Sequence, residues 1–151
     1  MNLKEISVVL IVKNATKTLK ECLNSLKEFG EIVLLDNQSD DDTLQIAKDF
    51  AKDFPNIRIE QSEFIGFGAL KNKAISYATK EWIFSIDADE VLEYEALKEL
   101  EKLDENFIKY KVIYSFALFR ISNYRFIMEK YGMGNLNEIF VRFKKILKES
   151  C

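Results

Sequence analysis

Residues 82–90, WIFSIDADE, decide the fold class of this chain, because an apolar run passes directly into a group of acids. An apolar run of this length is typical of a strand buried on both faces of a sheet. It predicts a strand over residues 82–86, followed at once by Asp87, Asp89 and Glu90. Ligands of open parallel sheets bind beyond the carboxyl ends of the strands, so we expect these acids to lie in a site.

Further strand and helix patterns alternate on both sides of this stretch. The other predicted strands are Ile6–Val12, residues 31–35, Ile57–Gln61 and residues 112–119, with a short one near 139–143. Between them, apolar residues recur at helical spacing. Strands that alternate with helices through short connections predict an α/β fold, a mainly parallel sheet with helices on both faces. We expect the first, second and fourth strands to be adjacent, because all three are apolar and feed polar loops.

Capping residues mark where the predicted helices begin. The candidates are Asn14 or Thr16 before residues 19–29, the polar residues 39–42 before residues 44–54, and Gly66 with Gly68 for the third helix. A fourth helix follows Glu90, with Tyr94, Leu97 and Leu100 on one side.

Composition excludes several classes of function. The chain has 151 residues, 48% of them hydrophobic, and a net charge of -3, which gives no reason to expect a nucleic-acid partner. It has no His, which excludes His-based triads and common zinc sites. Cys22 falls on an apolar helical face and Cys151 is the last residue, so a disulfide between them is not expected. We predict a cytoplasmic protein of one compact domain.

The pair Asp87 and Asp89 is a candidate cation site. An extended Asp-x-Asp projects both carboxylates from one side of the chain, and oxygen ligands suit Mg²⁺ or Mn²⁺. Those ions in turn suit diphosphates. The alternative is a solvated acidic turn that caps the helix after Glu90, and the motif alone does not decide between the two.

Two other polar segments fall at the same predicted sheet edge. Asp36 ends the second strand, where an acid typically accepts hydrogen bonds from a ribose or base in nucleotide-binding folds. Lys71 follows Gly66 and Gly68 at a helix start, which is a favourable place for an anion. The alternatives are plain helix capping for the Asp36 loop and a solvated charge for Lys71.

Taken in order, these segments resemble family 2 glycosyltransferases with the GT-A fold. Residues 7–14 are similar to the family's opening strand with its terminal Asn, and residues 31–43 to its second strand and Asp-x-x-Ser-x-Asp-x-Thr loop. Residues 66–74 resemble its Gly-x-x-x-x-(Lys/Arg)-Asn-x-Ala helix start, and residues 82–90 its metal-binding strand. The Asp-Ala-Asp-Glu ending and Asn123-Tyr124 look most like the branch that adds sugars to the bacterial lipopolysaccharide core.

The resemblance assigns roles to residues at the matching positions. It implies that Asn14, Asp36 and Asp40 bind the nucleotide part of the donor and that Lys71 faces the diphosphate. It implies that Asp89 ligates Mn²⁺ or Mg²⁺, while Asp87 serves the ribose or the metal through water. Many relatives have an acid where this chain has Ala15, so a nucleotide contact is not expected at that position.

The implied activity is metal-dependent, inverting transfer of a hexose from a UDP-sugar, such as UDP-glucose, to a cell-surface glycan or lipopolysaccharide-core acceptor. Such an enzyme is expected at the inner face of the plasma membrane, and two further interactions are compatible with it: peripheral contact with the inner membrane and self-association. Residues 1–119 would form the sugar-nucleotide-binding domain and residues 120–151 an incomplete start of the acceptor-side region, since relatives continue further. Glu90 and Glu138 are the candidates for the catalytic base.

Two other classes compete with this interpretation. A receiver-type signalling domain needs an acidic pair after its first strand and an Asp after its third, whereas those positions carry Lys13-Asn14 and Ser62-Glu63. That class is therefore disfavoured. A nucleotide-binding remnant without turnover is the second alternative, and the sequence leaves it open.

Overall fold

A computed structural model describes residues 1–102 and 112–114 of the chain. A short 3₁₀ turn, Leu3–Glu5, precedes the first strand. The strands are β1 (Ile6–Val12), β2 (Glu31–Asp36), β3 (Ile57–Gln61), β4 (Trp82–Ser85) and β5 (Val112–Tyr114). The helices are α1 (Leu19–Ser25), α2 (Thr43–Asp53), α3 (Phe67–Ser76) and α4 (Tyr94–Glu101).

The strands form one five-stranded parallel sheet in the order β3-β2-β1-β4-β5. The predicted adjacency of the first, second and fourth strands is confirmed, with β1 in the middle. Val12 at the end of β1 pairs with Asp36 at the end of β2, and Val9 pairs with Ser85 at the end of β4. The loops that follow these three strands therefore open at the same edge of the sheet.

Helices cover both faces of the sheet, as predicted. One face of β1 presents Ile6, Val8, Leu10 and Val12 to a core shared with α1, α2 and α4. The opposite face presents Val9, together with Val33 and Leu35 of β2, to Leu70 and Ala74 of α3. Because side chains alternate along a strand, the sheet separates two apolar layers. Of the described helices, α3 alone contributes buried residues to the layer that contains Val9.

Both predicted boundaries of the first helix were wrong. Thr18, not Asn14 or Thr16, is the N-cap of α1, and it makes no side-chain capping bond. Asn14 and Thr16 instead bond across to the loop after β2. The helix ends at Ser25, although Phe29 beyond it is still fully buried.

At the other predicted elements the differences are smaller. Tyr94, expected on the buried side of α4, is 63% exposed, while Leu100 is buried there. The strand predicted over 82–86 ends one residue earlier. Within the strand predicted over 112–119, the structure describes only β5, and the strand predicted near 139–143 lies outside the described residues.

Gly30 allows the turn before β2 to pack directly on the backbone of the 3₁₀ turn. Its N–H donates to the Leu3 carbonyl at 3.0 Å, and a Cβ at this position would lie 2.0 Å from the Lys4 carbonyl oxygen. We expect Gly30→Ala to destabilise the fold by about 1–3 kcal/mol, because backbone must move to make room. Urea unfolding measures this. Gly66→Ala shows the size of a purely backbone effect, since open space surrounds that Cβ and only its φ of 96° costs energy. A Gly30→Ala variant as stable as the wild type would contradict the packing argument.

Candidate functional site

A cleft of about 880 Å³ lies at the carboxyl edge of the sheet, where the rule for parallel sheets places a ligand site. It is bounded by the end of β1, the loops after β2 and β4, and the start of α3. Its polar lining residues are Lys13, Asn14, Thr18, Asn37, Lys71, Asp87 and Asp89. The volume is within the usual range for small-molecule sites.

Asp36 and Asn37 bring buried hydrogen-bond acceptors to this edge. The Asp36 side chain is fully buried, and its Oδ2 accepts from the Ser39 N–H at 3.3 Å and from Gln61 Nε2 at 3.4 Å. Asp36 Oδ1 and Asn37 Oδ1 are both buried without a hydrogen-bond partner in the described part of the chain. An unsatisfied buried acceptor is costly, so a donor group from a ligand would be favourable here.

Asn37 is a cleft residue that the sequence interpretation missed. It follows the predicted site residue Asp36 directly and lines the cleft, whereas Asp36 does not. The signal was its position in the loop after a buried strand, but several polar residues share that loop and only the fold shows which one faces the cleft.

Asn14 also lines the cleft, and it ties the loop after β1 to the loop after β2. Its N–H donates to Ser39 Oγ at 3.0 Å, and its Oδ1 accepts from the Asp40 N–H at 2.9 Å. Asp40 therefore meets Asn14 through its backbone, and its exposed side chain is not among those that line the cleft. A nucleotide contact by Asp40 stays a prediction.

Asp41 is the main side-chain anchor of the same loop. It accepts hydrogen bonds from the Thr16 hydroxyl and, at 2.9 Å, from the Thr43 N–H. Hydrogen bonds from Thr16 and Thr43 lower the pKa of Asp41 to about 2. Asp41 is therefore ionised at neutral pH and holds the loop in place through these hydrogen bonds. Its bond to the Thr43 N–H supplies part of the helix capping that was expected of residues 39–42.

Lys71 reaches the cleft from the first turns of α3. Its Nζ donates to Ser85 Oγ at 2.6 Å and lies 3.7 Å from Asp87 Oδ1. Burial lowers the pKa of Lys71, while the charges of Asp87 and Glu90 oppose that shift. The structure therefore brings the predicted diphosphate-binding lysine and the predicted acidic motif together.

The acids after β4 form a tight turn. The Asp87 N–H donates to Glu90 Oε2 at 2.9 Å, and the Glu90 N–H donates to the Asp87 carbonyl at 3.0 Å. Ala88 is buried, while Asp87 and Asp89 are exposed and line the cleft. The Glu90 carboxylate is already engaged in holding this turn. The other candidate base, Glu138, lies outside the described residues.

Cys22 lies beneath the acidic turn. Its buried thiol donates to the Asp87 carbonyl at 3.6 Å. Burial, with added repulsion from Glu90, Asp89 and Asp87, raises the pKa of Cys22 to about 12. The thiol therefore stays protonated and neutral, which suits a packing and hydrogen-bonding role under the loop.

Asp87 and Asp89 suit a cation only if a bound ligand supplies some of the oxygen atoms that coordinate the cation. Among the described residues, no group of three or more acid or Cys side chains converges to hold a metal ion. Asp87 and Asp89 nevertheless offer carboxylate oxygens at the cleft, and Mg²⁺ is usually bound by one or two carboxylates together with phosphates and water. The residues therefore suit Mg²⁺ or Mn²⁺ bound jointly with a diphosphate.

The sheet order, the helices on both faces and the position of the cleft define a Rossmann-like GT-A domain. The model of one family, described as glycosyl transferase family 2, matches residues 7–146. The chain belongs to this family.

Relatives with more specific names are similar over most of the described residues. Glycosyltransferase SunS, derived from the SPbeta prophage of Bacillus subtilis strain 168, is 43% identical over 96 residues, which are 62% of this chain and 22% of that protein. A poly(ribitol-phosphate) beta-glucosyltransferase of Bacillus spizizenii is 35% identical over 101 residues, 62% of this chain and 16% of that protein. This chain thus spans about a fifth of the length of these two relatives.

This chain is also similar to a solved structure. The crystal structure of S. aureus TarS 1-349 in complex with UDP-GlcNAc superimposes with a TM-score of 0.56 at 31% identity, covering 64% of this chain and 30% of that one. None of these three names mentions lipopolysaccharide, so the lipopolysaccharide-core branch stays a prediction. In the part of the chain that the structure describes, no helix is long and apolar enough to cross a membrane.

Proposed function

We propose that this chain forms the UDP-sugar-binding half of an inverting, metal-dependent hexosyltransferase. The observation that carries the proposal is that one cleft joins the buried acceptor of Asn37, the ammonium of Lys71 and the carboxylates of Asp87 and Asp89. A nucleoside needs hydrogen-bond acceptors, and a diphosphate needs positive charge. The TarS complex with UDP-GlcNAc supports the choice of a UDP-sugar donor.

Each group has a proposed task. The loop of Asp36 and Asn37 accepts hydrogen bonds from the nucleoside, and Asn14 holds that loop. Lys71 faces the diphosphate. Mn²⁺ or Mg²⁺, held by Asp89 with help from Asp87, would supply further positive charge against the departing nucleoside diphosphate.

The proposed acceptor is a bacterial cell-surface glycan, free or linked to lipid. The name of the poly(ribitol-phosphate) relative supports this class, while the similarity to lipopolysaccharide enzymes rests on the Asp-Ala-Asp-Glu motif and on residues 123–124. We propose that transfer to such an acceptor takes place in the cytoplasm, at the inner face of the plasma membrane. Peripheral contact with that membrane and self-association are part of the same proposal.

Binding of UDP to the purified chain tests the proposal. We expect the wild type to bind UDP in calorimetry and Asp36→Ala to weaken binding about tenfold or more, with or without a divalent cation. The reason is that Asp36 accepts from the Ser39 N–H and so holds the loop that carries Asn37 at the cleft. Asp53→Ala, an exposed acid at the end of α2, is the control. Circular dichroism must show that Asp36→Ala is folded, and Asn37→Ala serves if it is not. A folded wild type that does not bind UDP would refute the proposal.

A further inference from the structure

Ser85 is a hydroxyl residue buried at the end of an apolar strand. Trp82 and Phe84 point into the core that α1 and α4 cover. Side chains alternate along a strand, so Ile83 and Ser85 lie on the opposite face, which α3 covers. Ser85 is 1% exposed, and in the sheet it pairs with Val9 of β1 and with Tyr114 of β5. A hydroxyl buried in such a layer is costly unless it has a hydrogen-bond partner.

The partner of Ser85 is the ammonium of Lys71. The two side chains meet at 2.6 Å, a distance typical of a short, charge-assisted hydrogen bond. Lys71 follows Leu70, which is fully buried against the sheet, so its aliphatic stem runs along the apolar layer towards the end of β4. Only 21% of the Lys71 side chain is exposed, which is unusual for a lysine.

Asp87 alone does not explain where Lys71 lies. Its Oδ1 is 3.7 Å from Nζ, and the Asp87 side chain is 69% exposed. An ion pair with one exposed partner is screened by water and contributes little, and it fixes a flexible side chain poorly. A lysine ammonium has three donors, so the bond to Ser85 fixes its position while using one of them.

We propose that Ser85 is a positioning residue that holds the Lys71 ammonium at the acidic end of the cleft, ready for the diphosphate of a nucleotide. The inference deepens the proposed function and rests on it. Ser85 acts through Lys71 and does not itself contact the nucleotide. A pre-positioned cation binds an anion more tightly than a mobile one, because less conformational entropy is lost on binding.

A double-mutant cycle with UDP and uridine as probes tests this, using calorimetry in EDTA. Ser85→Ala is expected to weaken UDP about three- to tenfold, the effect of one charge-assisted hydrogen bond, and to leave uridine unchanged. In a Lys71→Ala background the same substitution is expected to change UDP binding less than about twofold, because coupled residues are not additive. Ser85→Thr, which keeps the hydroxyl, should restore most of the affinity.

Ser62→Ala is the matched control. Ser62 is also buried and also accepts from a lysine of α3, at 3.0 Å from Lys73 Nζ, but neither residue lines the cleft. The Ser62→Ala substitution should therefore leave UDP binding unchanged. If Ser85→Ala does not fold, Ser85→Cys, whose thiol fills the space but accepts weakly, takes its place in the cycle.

The outcomes separate the inference from the proposed function. If the wild type binds UDP and Lys71→Ala weakens it while Ser85→Ala does not, the positioning role is wrong and the donor site stands. An equal loss from Ser85→Ala with and without Lys71, or an equal loss for uridine, also overturns the role, because it shows a general structural effect. If the folded wild type binds no UDP at all, both fail.

Discussion

Removal of divalent cations is expected to weaken UDP binding to this chain by at least tenfold, and Asp89→Ala to abolish the difference between the two conditions. The reason is the charge at the cleft. Asp87, Asp89 and Glu90 place three carboxylates within one turn, while the ammonium groups at the cleft are those of Lys71 and Lys13. A diphosphate entering this end meets more negative than positive charge.

The size of the effect follows from the exposure of the acids. Two unit charges about 4 Å apart repel by about 1 kcal/mol in water and about 4 kcal/mol near a protein surface. The two ammonium groups of Lys13 and Lys71 do not offset the three carboxylates together with the charge of a diphosphate, so we expect a divalent ion to be needed. Loss of groups that merely support a metal ligand typically costs about 10- to 100-fold in metal affinity, and loss of a ligand should cost at least as much.

Calorimetry with UDP in Mn²⁺, in Mg²⁺ and in EDTA measures this dependence for the wild type and Asp89→Ala. Asp53→Ala removes an exposed acid that does not line the cleft and should keep the full metal effect. In EDTA, Asp89→Ala should bind UDP at least as well as the wild type, because it removes repulsion. Equal wild-type affinity in all three conditions would show that no cation bridges Asp89 and the diphosphate.

The sheet and the edge that carries the cleft could be predicted because both depend on local pattern. Ile6–Val12, residues 31–35 and residues 82–86 are short, mostly apolar runs, and their length and apolar content favour strands with two covered faces over helices. The carboxyl ends of adjacent parallel strands must then lie together, which brings Asp36 and Asp89 to one edge. Length and apolarity were sufficient for that step.

The loop contacts could not be predicted, because they depend on which loops meet. Asn14 and Thr16 have the chemistry of helix caps, but in the fold they bond to Asp40 and Asp41 of a loop about one helix and one strand away in sequence. The same residue types serve both purposes, so composition cannot distinguish them. The pairing of Lys71 with Ser85 is equally non-local, and a serine in a strand gives no sign of it.

Transfer of a sugar requires a catalytic base and a positioned acceptor, which binding of the donor does not. The acceptor hydroxyl must lose its proton to a base within about 3 Å, and both reactants must be held in line. Correct positioning can supply about 7–11 kcal/mol of barrier reduction. Among the described residues, the acids that line the cleft are Asp87 and Asp89. Glu90 follows them in the same turn, and its carboxylate already accepts the Asp87 N–H.

We therefore expect the purified 151-residue chain to bind UDP yet transfer sugar well below about 1 s⁻¹, the low end for ordinary enzymes. Asn37, Lys71, Asp87 and Asp89 line the cleft, but no acid among the described residues both lines it and is without a proposed or observed task. The measurement is transfer from UDP-glucose and related donors to a lipopolysaccharide-core acceptor and to a poly(ribitol-phosphate) acceptor, with UDP release followed in parallel. Lys71→Ala, which removes the proposed diphosphate contact, is the background control for any slow signal. Turnover at or above about 1 s⁻¹ would show that a base is present, and the Glu90→Gln and Glu138→Gln variants would then be compared. A loss of turnover confined to Glu138→Gln would place the base in the acceptor-side region. A loss with Glu90→Gln would mean that the acidic turn opens when substrate binds.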